Sequence, residues 1–130
     1  MEYYNFTIPA APPSVNTLWR RNPRGGMYLN KSARAYYDLV ARAVGDAKLS
    51  ETWDAVSVYI FIRPTRKAGD VDNYIKPVLD GLTKAGFWKD DAVVARVSCI
   101  LCAVRKGGET CVYVRREREK YLDAPFNPCN

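Results

Sequence analysis

Ala55-Val56-Ser57-Val58-Tyr59-Ile60-Phe61-Ile62 decides the fold. The stretch alternates apolar and polar positions at first, closes as a continuous apolar run and is rich in β-branched and aromatic residues, the pattern of a central strand buried on both faces. A basic connector, residues 63–69, follows with Arg63, Arg66 and Lys67. It leads to Asp70-Val71-Asp72-Asn73 and to a helix expected from about Asn73 to Lys84. Ile75, Val78, Leu79 and Leu82 form the apolar stripe of that helix, and Gly86 stands where a left-handed terminating residue belongs. Pro77 removes an amide and restricts Lys76, which predicts a start one or two residues later. After Phe87-Trp88-Lys89-Asp90-Asp91, strands are expected over residues 93–104 and 110–114, joined as a hairpin by a turn at Gly107-Gly108.

Upstream, Tyr3-Tyr4-Asn5-Phe6-Thr7-Ile8 reads as a first strand that Pro9, Pro12 and Pro13 stop. Residues 14–30 have loop composition, with Pro23, Gly25 and Gly26 among Arg20, Arg21 and Arg24 and the aromatic Trp19, a loop suited to meeting phosphate. Asn30 or Ser32 caps a helix whose apolar positions are Tyr36, Leu39, Val40, Ala43 and Val44, ended by Gly45 or by residues 48–50. Arg34, Asp38 and Arg42 share one face of it, read as a solvated side. Downstream, residues 115–130 read as a charged, mobile tail. The expectation is one α/β domain over residues 1–130, with a mixed β-sheet, flanking helices and the order β-α-β-α-β-β.

Composition supports a single soluble domain, since the 130 residues are 48% hydrophobic and 26% charged. Twenty lysines and arginines against fourteen acids leave a net charge of +6, which points to a polyanionic partner rather than to a merely soluble surface. No stretch approaches the roughly 18 consecutive apolar residues of a membrane span, and Met1-Glu2-Tyr3-Tyr4 lacks a signal-peptide pattern, so a cytoplasmic protein without a membrane partner is expected. Cys99, Cys102, Cys111 and Cys129 are too few for a disulfide scaffold and read as reduced, mostly buried thiols. The Cys99-Ile100-Leu101-Cys102 pair interrupts a strand-like run, where residues three apart face opposite sides, which argues against a zinc or redox centre.

Histidine is absent from the whole chain. That removes Ser-His-Asp and Cys-His catalysis, histidine-bound zinc and histidine acid–base chemistry. Carboxylates, lysines and a hard metal are left to do any chemistry. Asp70 and Asp72, two residues apart at a strand-to-helix junction, can face one side as oxygen ligands for a cation such as Mg²⁺. Helix capping competes as an explanation for either acid. Lys76 lies one helical turn after Asp72, placed to stabilise charge on a phosphate or simply to pair with Asp72 or Asp80. Asp91 stands before the next strand, and spacing does not decide whether it meets the other two. Arg63, Arg66 and Lys67 would offset the repulsion between these acids and DNA.

The run Asp70-Val71-Asp72-Asn73-Tyr74-Ile75-Lys76-Pro77-Val78-Leu79-Asp80-Gly81-Leu82, with Gly86-Phe87-Trp88-Lys89-Asp90-Asp91 and Val94, resembles the signature of the RusA family of Holliday junction resolvases. Pro12-Pro13-Ser14-Val15-Asn16, followed by Trp19 in a basic loop, and Lys106-Gly107-Gly108 resemble that family's N-terminal segment and last hairpin. Ala68-Gly69 replaces the arginines that often precede the first aspartate there. The resemblance implies an endodeoxyribonuclease dependent on Mg²⁺, or Mn²⁺ in its place, that acts as a homodimer on four-way DNA junctions in a bacterial or phage-infected cell. It would nick two strands symmetrically, with Asp70, Asp72 and Asp91 as metal-binding catalytic acids and Lys76 as the essential basic residue. Arg20, Arg21, Arg24, Arg63, Arg66 and Lys67 are the expected nucleic-acid contacts. The competing readings are a non-catalytic junction- or duplex-binding accessory protein and a metal nuclease acting on other branched DNA.

Overall fold

The computed structural model describes residues 3–14, 19–67 and 69–122. The elements run β1 (Tyr3–Ile8), β2 (Trp19–Arg21), β3 (Met27–Leu29), α1 (Lys31–Val44), β4 (Ala55–Arg63), α2 (Ile75–Lys84), β5 (Val94–Leu101) and β6 (Glu109–Glu117). Two short 3₁₀ helices, Val71–Tyr74 and Asp91–Val93, flank α2. The main sheet has the order β1-β6-β4-β5, with β4 parallel to β5 and antiparallel to β6, and β1 antiparallel to β6. The mixed sheet with two helices is the expected α/β architecture.

Inward residues alternate along each inner strand as the pleat requires. Val58, Ile60 and Ile62 of β4 and Val112 and Val114 of β6 are fully buried, and α1 and α2 cover them with Tyr36, Val40, Val44, Val78 and Leu82. Asn30 caps α1 by accepting from the Ser32 amide at 2.8 Å, and Gly45 ends it. Tyr37 and Ala33 join the buried stripe of α1, whereas Leu39 and Ala43 are only partly covered. Helix α2 begins at Ile75, as Pro77 predicts, with the proline buried in its first turn.

Four expectations change. Residues 19–29 form a two-stranded hairpin rather than a loop, which adds two strands to the expected order. Its turn carries Gly25 and Gly26 at φ 101° and 80°, but three-residue strands are too short to show a period-2 pattern. Strands β5 and β6 are not a hairpin, because β4 lies between them. The connection 102–108 passes over the end of β4 and is pinned there by Cys102 N–H donating to Ile62 O at 2.7 Å and Arg105 N–H to Pro64 O at 2.9 Å. Strand β6 runs to Glu117, into the segment expected as a mobile tail, because Arg115 and Glu117 project from the sheet face opposite Val114. Residues 123–130 lie outside the described residues. Finally, β4 is covered on both faces only in its first half, for Tyr59 and Phe61 are half-buried on a sheet face that carries no helix. No helix is long and apolar enough to cross a membrane among the described residues.

Candidate active site

Strand β4 delivers the chain into the basic connector, and the end of that connector is sterically set. Gly69 has φ 85°, and a Cβ on it would stand 2.6 Å from the hydroxyl of Tyr74, a residue buried in the core. Only glycine relieves both the left-handed backbone and this contact, which accounts for the absence of arginine at position 69. Asp70 then occupies the cap position of the first 3₁₀ helix in extended conformation, φ −97° and ψ 144°. Its backbone carbonyl accepts from the Asn73 amide at 3.1 Å, while its side chain makes no capping bond. Capping therefore does not explain this carboxylate. Asp72 lies within the same turn, and both side chains are exposed.

Helix α2 fixes where the chain goes next. Val78 and Leu82 are fully buried, and Gly81 lets the helix approach Val40 and Tyr37 of α1, where a Cβ would meet side-chain atoms at 3.2–3.4 Å. Beyond α2 the turn is held by Phe87, whose amide donates to Leu82 O at 3.1 Å and whose carbonyl accepts from Leu49 N at 2.8 Å. Trp88 Nε1–H donates to Thr83 Oγ1 at 2.7 Å. Both rings are buried, so the aromatic pair anchors the Asp90-Asp91 segment. Asp90 caps the second 3₁₀ helix by accepting from the Ala92 amide at 2.8 Å. Asp91 is half-buried beside it; its backbone carbonyl accepts from the Val94 amide, while its carboxylate has no hydrogen-bond or ion-pair partner among the described residues.

Lys76 forms an ion pair with Asp80 at 3.5 Å, and 63% of its side chain is exposed. An exposed i,i+4 pair contributes at most about 1 kcal/mol, so a phosphate can take the place of Asp80 at little cost. Arg63 is held by Glu109 at 3.8 Å, whereas Arg66 and Lys67 are exposed and unpaired among the described residues. Arg21 and Arg24 are exposed on the β2–β3 hairpin, and the side chain of Arg20 lies outside the described residues. The sequence reading passed over Lys120, which it assigned to the tail. Its Nζ donates to Ala92 O, next to Asp91, and only the three-dimensional fold reveals that placement.

The donor set at the two ends of α2 is all oxygen, which suits a hard divalent cation. Among the described residues, however, no group of three or more carboxylate or thiol side chains stands close enough to hold a metal ion. Asp70 and Asp72 precede α2 and Asp91 follows it, and the turn that holds the first two contacts β5, the strand that Asp91 leads into. A closed cage of three carboxylates does not fit this arrangement. An open site does, because Mg²⁺ commonly takes one or two protein carboxylates and completes its shell with water and substrate phosphate. The thiols offer no alternative centre: Cys99, Cys102 and Cys111 are free and partly buried, and burial pushes the Cys99 thiol up to about 11. Cys129 lies outside the described residues.

A family model described as endodeoxyribonuclease RusA matches residues 9–115. The crossover junction endodeoxyribonuclease RusA of Escherichia coli strain K12 is 41% identical over 111 residues, which cover 83% of this chain and 90% of that protein. The proteins of the same name from Shigella sonnei and from Enterobacteria phage 82 are each 40% identical over 111 residues, with the same coverage. The matched span includes both acidic turns, the helix between them, strands β4 and β5 and most of β6, and on this similarity the chain belongs to the RusA family of endodeoxyribonucleases.

Proposed function

We propose that this endodeoxyribonuclease acts on four-way DNA junctions, opening them by paired symmetric nicks, and that it works as a homodimer with Mg²⁺ at Asp70, Asp72 and Asp91. The observation that carries the reading is the contrast at the acidic turns: Asp90 is used as a cap, while Asp70, in a cap position, and Asp91, next to one, are not. Carboxylates without a partner among the described residues, on the turns that precede and follow α2, are available to a cation shared with DNA. Such an ion would supply Lewis acidity at the scissile phosphate. Lys76 would leave Asp80 for the phosphate and stabilise the charge that develops on its oxygens. Arg66 and Lys67 on the connector, with Arg21 and Arg24 on the hairpin, would bind backbone phosphates and hold the duplex arms in place. Two copies related by a twofold axis would present two equivalent sites to two equivalent strands.

The test is incubation of a mobile four-way junction with the full chain, with and without Mg²⁺, and mapping of the products. Symmetric paired nicks that require the metal are expected. Absence of nicking, or equal nicking of linear duplex or flap DNA, contradicts the proposal.

A further inference from the structure

The turn that presents Asp91 is held without packing. None of the residues Asp91–Val93 is buried, and an open hollow of about 490 Å³ lies against the turn, lined by Trp53, Trp88, Asp90, Val93 and Lys120 among others. The carboxylate of Asp91 has no partner among the described residues, so no hydrogen bond fixes its rotamer. Its direction is therefore set by the backbone of the turn.

That backbone is tied at three points. Asp90 Oδ1 accepts from the Ala92 amide at 2.8 Å, Asp91 O accepts from the Val94 amide, and Ala92 O accepts from Lys120 Nζ. The first two ties are local, made within residues 90–94. The third comes from 28 residues away and has a charged donor, which makes such a bond roughly twice as strong as one between neutral groups.

A strap delivers Lys120 to the turn. At the end of β6, Ser57 Oγ donates to Glu117 Oε1 at 2.7 Å, and Arg96 of β5 pairs with Glu117 at 3.5 Å. Arg116 donates to Thr52 O at 3.2 Å, and both terminal nitrogens of Arg96 reach Glu119 O at 3.4 Å. These tethers draw residues 118–120 towards the start of β5 and leave Lys120 half-buried against the turn, its ammonium 5.6 Å from the Tyr121 ring. A free lysine keeps its three donors in water, and the strap is what confines this one. The family model's match ends at residue 115, so the strap is built from residues beyond the matched span.

We propose that Lys120 is a positioning residue of the nuclease, which by holding Ala92 O fixes the turn that aims the Asp91 carboxylate at the metal. The inference rests on the reading of Asp91 as a metal ligand. The rival role for Lys120 is direct contact with a DNA phosphate. Its surroundings count against that role: the ammonium is already engaged, whereas Lys89, just before the same turn, is exposed and unpaired among the described residues.

Lys120→Met removes the donor and its charge while keeping a side chain of similar length. In the metal-free chain the Ala92 and Val94 amides should then exchange with solvent at least about tenfold faster, with Tm within about two degrees of the wild type. In Mg²⁺ the maximal rate of junction cleavage should fall and the Mg²⁺ concentration for half-maximal rate should rise, a combined loss of roughly ten- to a hundredfold. Junction binding in EDTA should stay within about twofold, because no phosphate contact is lost. Lys120→Arg, which keeps a charged donor, should recover most of the rate. Lys89→Met removes the same charge beside the same turn and should change none of these quantities. Wild-type rate and Mg²⁺ dependence in Lys120→Met, or an equal loss in Lys89→Met, overturns the inference. So does weaker binding in EDTA that matches the loss of rate, which assigns Lys120 to a phosphate. A wild-type chain that nicks no junction refutes the reading of Asp91 beneath the inference, whereas faster amide exchange with unaltered cleavage refutes the inference alone.

Discussion

Helix α2 contrasts with its own ends. Along its length every inward position is taken: Val78 and Leu82 are fully buried, Gly81 meets α1, and Thr83 accepts from the indole of Trp88. At the ends, the carboxylates of Asp70, Asp72 and Asp91 have no partner among the described residues, while that of Asp90 is spent on a cap. The body of the helix stabilises the fold, and under the proposal the ends carry the chemistry. A substitution in the body should therefore cost stability without changing the reaction, and one at the ends should do the reverse.

The largest expected effect lies in the body. Leu82→Ala removes a fully buried side chain from the core and should destabilise the protein by about 3 kcal/mol, with cleavage below the melting transition close to that of the wild type. Denaturant unfolding beside a junction assay measures both. An equal loss of cleavage at low temperature would break the contrast. At the front end, Lys76→Ala should slow cleavage by roughly ten- to a hundredfold, about 1.4–2.7 kcal/mol at the transition state, and leave Tm within a degree or two. Loss of the exposed pair with Asp80 is too small to register as stability.

Asp90→Ala falls between the two regimes, because this acid belongs to the framework but touches the site. It should cost about 1 kcal/mol through the lost cap and slow cleavage only severalfold, by loosening the turn that presents Asp91. Smaller still, Arg66→Ala and Lys67→Ala should each lower the slope of log binding constant against log salt by about 1, without altering the choice of junction over duplex. Cys99 gives the least. Its folded-state pKa is raised, so the folded form holds the proton more tightly than the unfolded chain, and the associated stability is complete below pH 9 and lost as pH rises from 9 towards 11. Alkylation of Cys99 should accordingly be slow at pH 8, and rapid modification there would contradict the burial that raises it.

The same contrast separates what the sequence discloses from what it withholds. Local signals are legible because they are local: the Asn30 cap and Gly45 stop of α1, the delay of α2 to Ile75 by Pro77, and β4 from its apolar run. Pairing between distant segments is not. Residues 93–104 and 110–114 form a plausible hairpin in one dimension, but β4 enters between them because the βαβ unit through α2 brings β5 to its far edge. Strands of three residues in the β2–β3 hairpin lie below the length at which periodicity speaks.

For the site, the absence of histidine and the Asp70–Asp72 spacing point to carboxylate chemistry without any structure. Capping competes for the acids of both turns, and only the geometry shows that it takes neither Asp70 nor Asp91. The choice falls on Asp90, a residue the motif does not set apart from Asp91 by any difference in chemistry. Lys120 escapes detection because its position next to Asp91 depends on β6 continuing past Val114.

The most direct test of the proposal is cleavage and binding of a four-way junction by Asp70→Asn, Asp72→Asn and Asp91→Asn, each measured beside the wild type in Mg²⁺ and each checked for an unchanged Tm. The account predicts that all three variants bind the junction as tightly as the wild type, or more tightly, and that none of them nicks it. Cleavage retained by all three would contradict it.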